Sequence, residues 1–169
     1  PAFGDELSPP DPDGARFEMI RGTVLDADLD AFEREGTEPL PVVSASPQHS
    51  PSLLQPLTAF RWFIDSGARF GTGWANEATI AGLVTPAPFD AQACVPHIAA
   101  PTLMVIAEED EMEGADADVA RAVFDSAPPR SQLAAVGGGH FGVITDGSPE
   151  FQTSLTAQQQ FLQKHLLAP

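Results

Sequence analysis

Two apolar runs lie in the C-terminal part of the chain: Pro101–Ala107 is continuous and of strand length, and Leu133–Val136 forms the apolar part of a second predicted strand, Ser131–Val136. Such runs are typical of strands that are covered on both faces, as in a parallel sheet. Each run is followed by a segment with helical spacing of its apolar residues, over about 116–127 and about 150–167. This β-α-β-α order favours the α/β fold class. Since two strands alone do not make a stable sheet, we expect the remaining strands to come from elsewhere.

The region before residue 98 combines helical patterns with many prolines and glycines. Apolar residues recur at helical spacing from Ala15 to about Glu35, and Gly36 is expected to end that helix. The elements predicted here are helices over 15–35, Leu53–Ser66 and Asn76–Leu83, an extended piece over Leu40–Val43 and a loop over 84–100. We therefore divide the chain into residues 1–97, mostly helical with an N-terminal loop, and residues 98–169.

The charge of the chain narrows the range of its partners. Its 169 residues include 24 acidic and 8 basic side chains, which gives a net charge of −16. Nucleic acids and anionic membranes are both bound through clustered lysine and arginine, so neither is expected as a partner.

Targeting signals are not visible in the sequence. No segment approaches the roughly 18 apolar residues of a membrane span, and no signal peptide is found, so we expect a cytoplasmic location. The chain begins with Pro1 rather than methionine, and we therefore expect its start to have been processed or cut.

One histidine follows the second apolar run, directly after the glycines Gly137–Gly139. A general base must sit on a fixed turn within hydrogen-bond reach of the group that it deprotonates, and His140 meets that need. The other histidines, His49, His97 and His165, are expected to be structural or solvated.

The acidic loop Glu108–Glu111 follows the first apolar run. A carboxylate just past a buried strand can orient an imidazole and stabilise its charged form. Asp110 is a candidate for this role, and from the residues alone the choice between it and its acidic neighbours stays open.

A nucleophile is not visible in this chain. The Gly-x-Ser-x-Gly turn, which exposes a serine between a strand and a helix, does not occur. No metal or other cofactor is expected either, because the histidines are scattered and Cys94 is the only cysteine. A single cysteine excludes an intrachain disulfide, and we expect Cys94 to be a small buried hydrophobic residue.

Aromatic residues are concentrated between positions 60 and 74. Such a stretch is usually part of a core, and the alternative is the apolar wall of a substrate pocket. We take Trp62, Phe63 and Trp74 as the candidate substrate-binding residues.

Residues 98–167 resemble the C-terminal part of an α/β-hydrolase of the dienelactone-hydrolase-like or acyl-esterase-like kind. The matching segments are Ile98–Asp110, Gly138–Phe141 and Gln158–Leu166. The resemblance implies that Asp110 is the triad acid and His140 the triad base. It also implies that the region from 15 to about 85 is a helical cap.

The half of the family's fold that carries the serine elbow has no counterpart here. The resemblance therefore implies a C-terminal subunit or fragment of a serine hydrolase, with the nucleophilic serine and the rest of the sheet on a companion chain. Such an enzyme would cleave an ester, thioester or amide of a small organic substrate, and only when the missing half is present. Two alternatives stay open, a non-catalytic hydrolase-like binding or structural subunit and a C–C bond hydrolase of the same fold.

Overall fold

The structure is a computed structural model and describes residues 3–25, 32–33, 39–78, 82–83 and 90–167. The helices in these ranges are α1 (Ala15–Leu25), α2 (Leu57–Phe70), α3 (Ala91–Cys94), α4 (Ala117–Phe124) and α5 (Pro149–Leu162). The strands are β1 (Phe32–Glu33), β2 (Gly82–Leu83), β3 (Leu103–Ala107) and β4 (Gln132–Val136). Within these ranges, every helix falls short of the length or the apolar character that a bilayer crossing demands.

The chain forms two compact units. We call them the sheet unit, Pro1–Arg21 with Phe89–Pro169, and the insertion unit, Gly22–Pro88. These bounds differ from the division into 1–97 and 98–169 that we expected from the sequence.

The N-terminal residues belong to the sheet unit because the side-chain amide of Gln92 holds them there. Its nitrogen donates to the carbonyl oxygens of Phe3 and Glu6 at 2.6 and 2.8 Å. Its oxygen accepts the backbone N–H of Ser8 at 2.9 Å. These bonds join residues that are more than 80 positions apart, so a local pattern in the sequence does not reveal them.

The sheet unit contains the predicted parallel strand pair, which is confirmed. β3 and β4 pair in parallel, from Leu103 opposite Gln132 to Ala107 opposite Val136. α4 connects them as the crossover helix that parallel strands need, and it packs on β3 while α5 contacts both strands. The buried cluster consists of Val95, Val119 and Val123, with Phe3 and Ala127 packed against it.

In the insertion unit, α2 begins at Leu57 and not at Leu53 as predicted. The backbone N–H groups of Leu53 and Leu54 donate to the carbonyls of Pro41 and Val42, at 3.0 and 2.9 Å, and Leu54 forms a parallel bridge with Val43, so this segment is paired as extended chain. The helix then runs past the expected break at residue 67, and it ends where Gly71 adopts a left-handed conformation with φ +55°.

Two further helix predictions differ from the structure, the first of them only beyond Leu25. α1 spans Ala15–Leu25, and Phe32–Glu33, which the prediction placed in the same helix, forms β1 and pairs antiparallel with β2. Within the helix predicted over 76–83, Ala78 instead exchanges backbone hydrogen bonds with Leu40 at 2.9 and 2.8 Å, and Gly82–Leu83 forms β2. Residues 26–31, 34–38 and 79–81 lie outside the described ranges.

The predicted loop over 84–100 contains a short helix. Asp90 caps the N-terminus of α3, since its carboxylate accepts the backbone N–H groups of Gln92 and Ala93 at 2.9 and 3.3 Å. A 3-10 turn over Val95–His97 continues it. Residues 84–89 of the predicted loop lie outside the described ranges.

Candidate active site

The structure brings Asp110 and His140 together at one end of the sheet unit. Because β3 and β4 are parallel, their carboxyl ends meet at the same edge, and each residue follows its strand within a few positions. Oδ2 of Asp110 lies 2.9 Å from Nδ1 of His140. The predicted acid and base are therefore hydrogen-bonded partners.

The Asp110 carboxylate is held at both of its oxygens. Oδ1 accepts the backbone N–H of Met112 at 3.0 Å, while Oδ2 faces the imidazole. Its side chain is 12% exposed and that of His140 is 42% exposed. An ionised carboxylate at Nδ1 favours the tautomer with its proton on that nitrogen, so Nε2 carries the lone pair of a base.

Backbone hydrogen bonds join the acidic loop to the glycine turn. The N–H of Glu108 donates to the carbonyl of Val136 at 2.8 Å, which extends the strand pairing by one residue. The N–H of Glu109 donates to the carbonyl of Gly138 at 3.1 Å. Gly138 has a φ of +85°, a conformation that residues with a Cβ rarely adopt. The turn that carries His140 is thus built against the loop that carries Asp110.

Sequence reasoning did not assign a separate role to Glu111. Its Oε2 accepts the backbone N–H of His140 at 2.9 Å. Glu108, by contrast, pairs with Arg121 at 2.6 Å. The only sequence signal that marks these acids as candidates is their position after an apolar run. Because all of them share that position, the sequence cannot distinguish their roles.

An apolar cavity of about 550 Å³ runs along β3 and reaches Asp110 and His140. All five residues of β3 line it, together with Cys94 and other apolar side chains. The pKa of the Cys94 thiol is raised, mainly by burial and to a smaller extent by the negative charge of Asp90. The cavity is therefore an apolar groove whose polar end is the aspartate–histidine pair.

The three candidate aromatic residues form a cluster within the insertion unit. The rings of Trp62 and Phe63 meet edge to face with centroids 5.1 Å apart, and Phe63 and Trp74 lie 5.3 Å apart. A Cβ on Gly67 would come within 3.4 Å of the Trp74 ring, so α2 has a glycine where the indole packs.

The remaining histidines make local contacts. His97 stacks on Phe17 with ring centroids 3.7 Å apart, and His49 Nδ1 lies 3.1 Å from the hydroxyl of Ser46. His165 packs against Phe161 at 4.5 Å. Among residues in the described part of the chain, no group of three or more His, Cys, Asp or Glu side chains could hold a metal ion.

Comparison with known proteins supports the fold. No protein-family model and no curated protein matches the chain. Among solved structures, it is similar to the crystal structure of the alpha/beta hydrolase GrgF from Penicillium sp. sh18, with a TM-score of 0.53 and 19% sequence identity. The match covers 99% of this chain and 53% of that one. The chain therefore has an α/β-hydrolase-like fold, and it spans about half the length of the solved structure that it matches.

Proposed function

We propose that this chain is the acid–base half of a serine hydrolase, with Asp110 as the triad acid and His140 as the base. The observation that carries the proposal is the 2.9 Å hydrogen bond between Oδ2 and Nδ1 at the carboxyl ends of two parallel strands. Residues 1–169 contain no serine elbow, and we propose that a companion chain carries the nucleophile.

The proposed reaction is acyl transfer. Nε2 of His140 accepts the proton of the companion's serine hydroxyl as its oxygen attacks the carbonyl of an ester, thioester or amide. The imidazolium then protonates the leaving group, and the acyl-serine is hydrolysed by a water that the same nitrogen deprotonates. Asp110 keeps the ring oriented and stabilises its charged form. Backbone donors of the companion would stabilise the oxyanion.

The apolar groove along β3 supports the companion proposal. Within the described residues, β3 has β4 as its strand neighbour on one side, and the groove lies along the strand. A free strand edge with apolar surroundings is a site for pairing with a further strand. About half of the similar solved structure has no counterpart in this chain, and we propose that the companion supplies it by adding strands beside β3.

The insertion unit is proposed to be the cap of the enzyme, and its cluster of Trp62, Phe63 and Trp74 to be the wall of the acyl pocket. Aromatic walls favour small organic substrates with apolar acyl groups. The net charge of −16 disfavours strongly anionic substrates.

A serine-reactive probe tests the proposal. The tagged chain is purified with whatever remains bound to it from its own source cells, and the preparation is treated with a fluorescent phosphonate. We expect a labelled serine on a companion polypeptide, with labelling abolished by His140→Ala and retained by the matched control His49→Ala. Labelling that is indifferent to His140→Ala would refute the base assignment, and absence of any labelled partner would favour the non-catalytic subunit.

A further inference from the structure

Glu111 and Asp110 are adjacent in sequence and bind the same histidine at different atoms. Asp110 bonds the imidazole through Nδ1, and Oε2 of Glu111 accepts the backbone N–H of His140, each at 2.9 Å. We infer that Glu111 is a positioning residue of the active site, an inference that rests on the proposed function. It would act through the main chain of His140, without contact to the substrate.

The need for a second bond follows from the glycine turn. Gly137–Gly139 precede His140, and glycine leaves the backbone more freedom than any other residue. A hydrogen bond to the ring alone fixes the side chain relative to Asp110, while the main chain that carries the ring could still shift. The bond from Glu109 to the Gly138 carbonyl restrains the turn two residues earlier, and a carboxylate that accepts the N–H of His140 restrains the residue that carries the ring. Hydrogen bonds to an ionised acceptor are the stronger kind.

The space around Gly139 provides an independent observation. A Cβ at this position would lie 2.5 Å from Oε2 of Glu111 and 3.3 Å from its Cδ. The turn therefore leaves room for the carboxylate where any other residue would place a side chain. Gly139 does not have a positive φ, unlike Gly138 at +85°. The need for glycine at position 139 therefore comes from the space that the Glu111 carboxylate occupies and not from the backbone conformation.

The hydrogen bond between Glu111 and the backbone N–H of His140 can be broken in two ways, one at Glu111 and one at Gly139. Glu111→Ala removes the acceptor. Gly139→Ala keeps every charge, but its methyl group displaces the end of the flexible Glu111 side chain from the N–H of His140. If both changes act through the same bond, the double variant Glu111→Ala/Gly139→Ala should be no worse than either single variant.

The experiment measures hydrolysis of an activated ester and phosphonate labelling by the assembled enzyme. We expect Glu111→Ala and Gly139→Ala each to lower kcat roughly tenfold with KM unchanged, because the base is misplaced while substrate binding is not. Glu111→Gln, which keeps a carbonyl acceptor, should restore most of the rate. The matched control is Glu113→Ala, which removes an exposed charge of the same loop and should leave kcat unchanged.

A spectroscopic measurement does not depend on activity. In the full chain labelled with ¹⁵N on histidine, NMR identifies which imidazole nitrogen of His140 carries the proton. We expect the Nδ1–H tautomer in the unmodified chain and in Glu113→Ala, and a mixture of tautomers in Glu111→Ala and Gly139→Ala, because the ring loses its fixed alignment with Asp110.

The outcomes separate the inference from the proposed function. Glu111→Ala with the kcat and tautomer of Glu113→Ala, or a double variant whose losses multiply, would overturn the role of Glu111 even if His140→Ala still abolishes labelling. If His140→Ala leaves labelling intact, the proposed function fails instead, and the tautomer measurement alone then decides whether Glu111 aligns the ring.

Discussion

Asp110 fixes the orientation of His140, since its Oδ2 lies 2.9 Å from Nδ1 across a separation of 30 residues. Asp110→Asn keeps the shape of the side chain but presents an N–H donor to the ring as readily as an acceptor. The imidazole would then take the tautomer with its proton on Nε2, which cannot act as a base.

We expect this substitution to lower the turnover of the assembled enzyme by about 10⁴-fold, the cost of the same change in a well-studied triad. Thermal unfolding should be little affected. Asp146→Asn, at an exposed position of the same unit, is the control. Turnover within tenfold of the unmodified enzyme would mean that Asp110 is not the triad acid.

The meeting of the acidic loop and His140 at one edge of the sheet could be predicted from the sequence, because it follows from the order of the strands and helices alone. Two apolar runs in a β-α-β arrangement imply parallel strands, and parallel strands place their carboxyl ends together. That reasoning brings an acid of the loop Glu108–Glu111 close to His140. It does not say which acid meets the ring, because this depends on the path of the main chain after β3. Asp110 pairs with the ring and Glu111 with the N–H of the same residue.

The insertion unit was harder to predict because distant bonds override its local patterns. The apolar spacing from Leu53 onward fits a helix, but Leu53 and Leu54 pair with the distant segment Pro41–Val43 as extended chain. In the same way, Ala78 lies in a segment with helical spacing but pairs with the distant residue Leu40. Helical spacing in the sequence gives no information about a competing partner far along the chain.

Asn76 is predicted to be essential to the stability of the insertion unit. Its side-chain oxygen accepts the backbone N–H of Val43 at 3.0 Å, and its nitrogen donates to the Val43 carbonyl at 2.8 Å. Val43 is 1% exposed, so in the folded chain its backbone N–H and carbonyl rely on the Asn76 amide for these hydrogen bonds. Asn76→Ala should lower the free energy of unfolding by about 2 kcal/mol, measured by urea denaturation.

Asn76→Asp keeps the acceptor and loses the donor, so its cost should show which half of the amide matters more. The neighbouring Glu77→Ala, at an exposed position, serves as the control and should change stability by less than about 0.5 kcal/mol. Equal stability of Asn76→Ala and Glu77→Ala would show that the bonds to Val43 contribute nothing.

Substitutions at Gly138 and at its neighbour Gly137 can be compared to measure how much stability depends on glycine in this turn. Gly138 has a φ of +85°, and a Cβ there would lie 3.1 Å from Cγ of Glu150. A Cβ on Gly137 would meet no atom within 4 Å. Gly138→Ala should therefore destabilise the sheet unit by about 1–3 kcal/mol, while Gly137→Ala should be close to neutral in the same thermal denaturation. A similar stability for both variants would contradict this reading of the turn.

His165 should make stability depend on pH. Its Nε2 is buried with no hydrogen-bond partner in the described residues, and its ring packs on Phe161. Desolvation, followed by the charges of Lys164 and Arg130, lowers the pKa of His165. The unfolded chain, with a pKa of about 6.5 for this group, then binds the proton more readily than the folded one. Stability is therefore unaffected by His165 above that pH and falls as the pH is lowered below it.

The test compares free energies of unfolding at pH 7.5 and pH 5. His165→Phe keeps a ring on Phe161 and removes the titration, so it should lose less stability on acidification than the unmodified chain. His49→Ala, in an exposed loop, should keep the original dependence. An identical acid sensitivity in all three proteins would exclude His165 as the source.

The sheet unit is discontinuous in sequence, since Gln92 fastens residues from the start of the chain to a helix that follows the insertion. The acid and the base both lie after that insertion, on a frame that the intervening residues do not interrupt. Such an arrangement is modular. Residues 22–88 could therefore be exchanged for another segment of suitable ends while the frame that holds Asp110 and His140 stays the same, and under the proposed function such an exchange would change substrate selection.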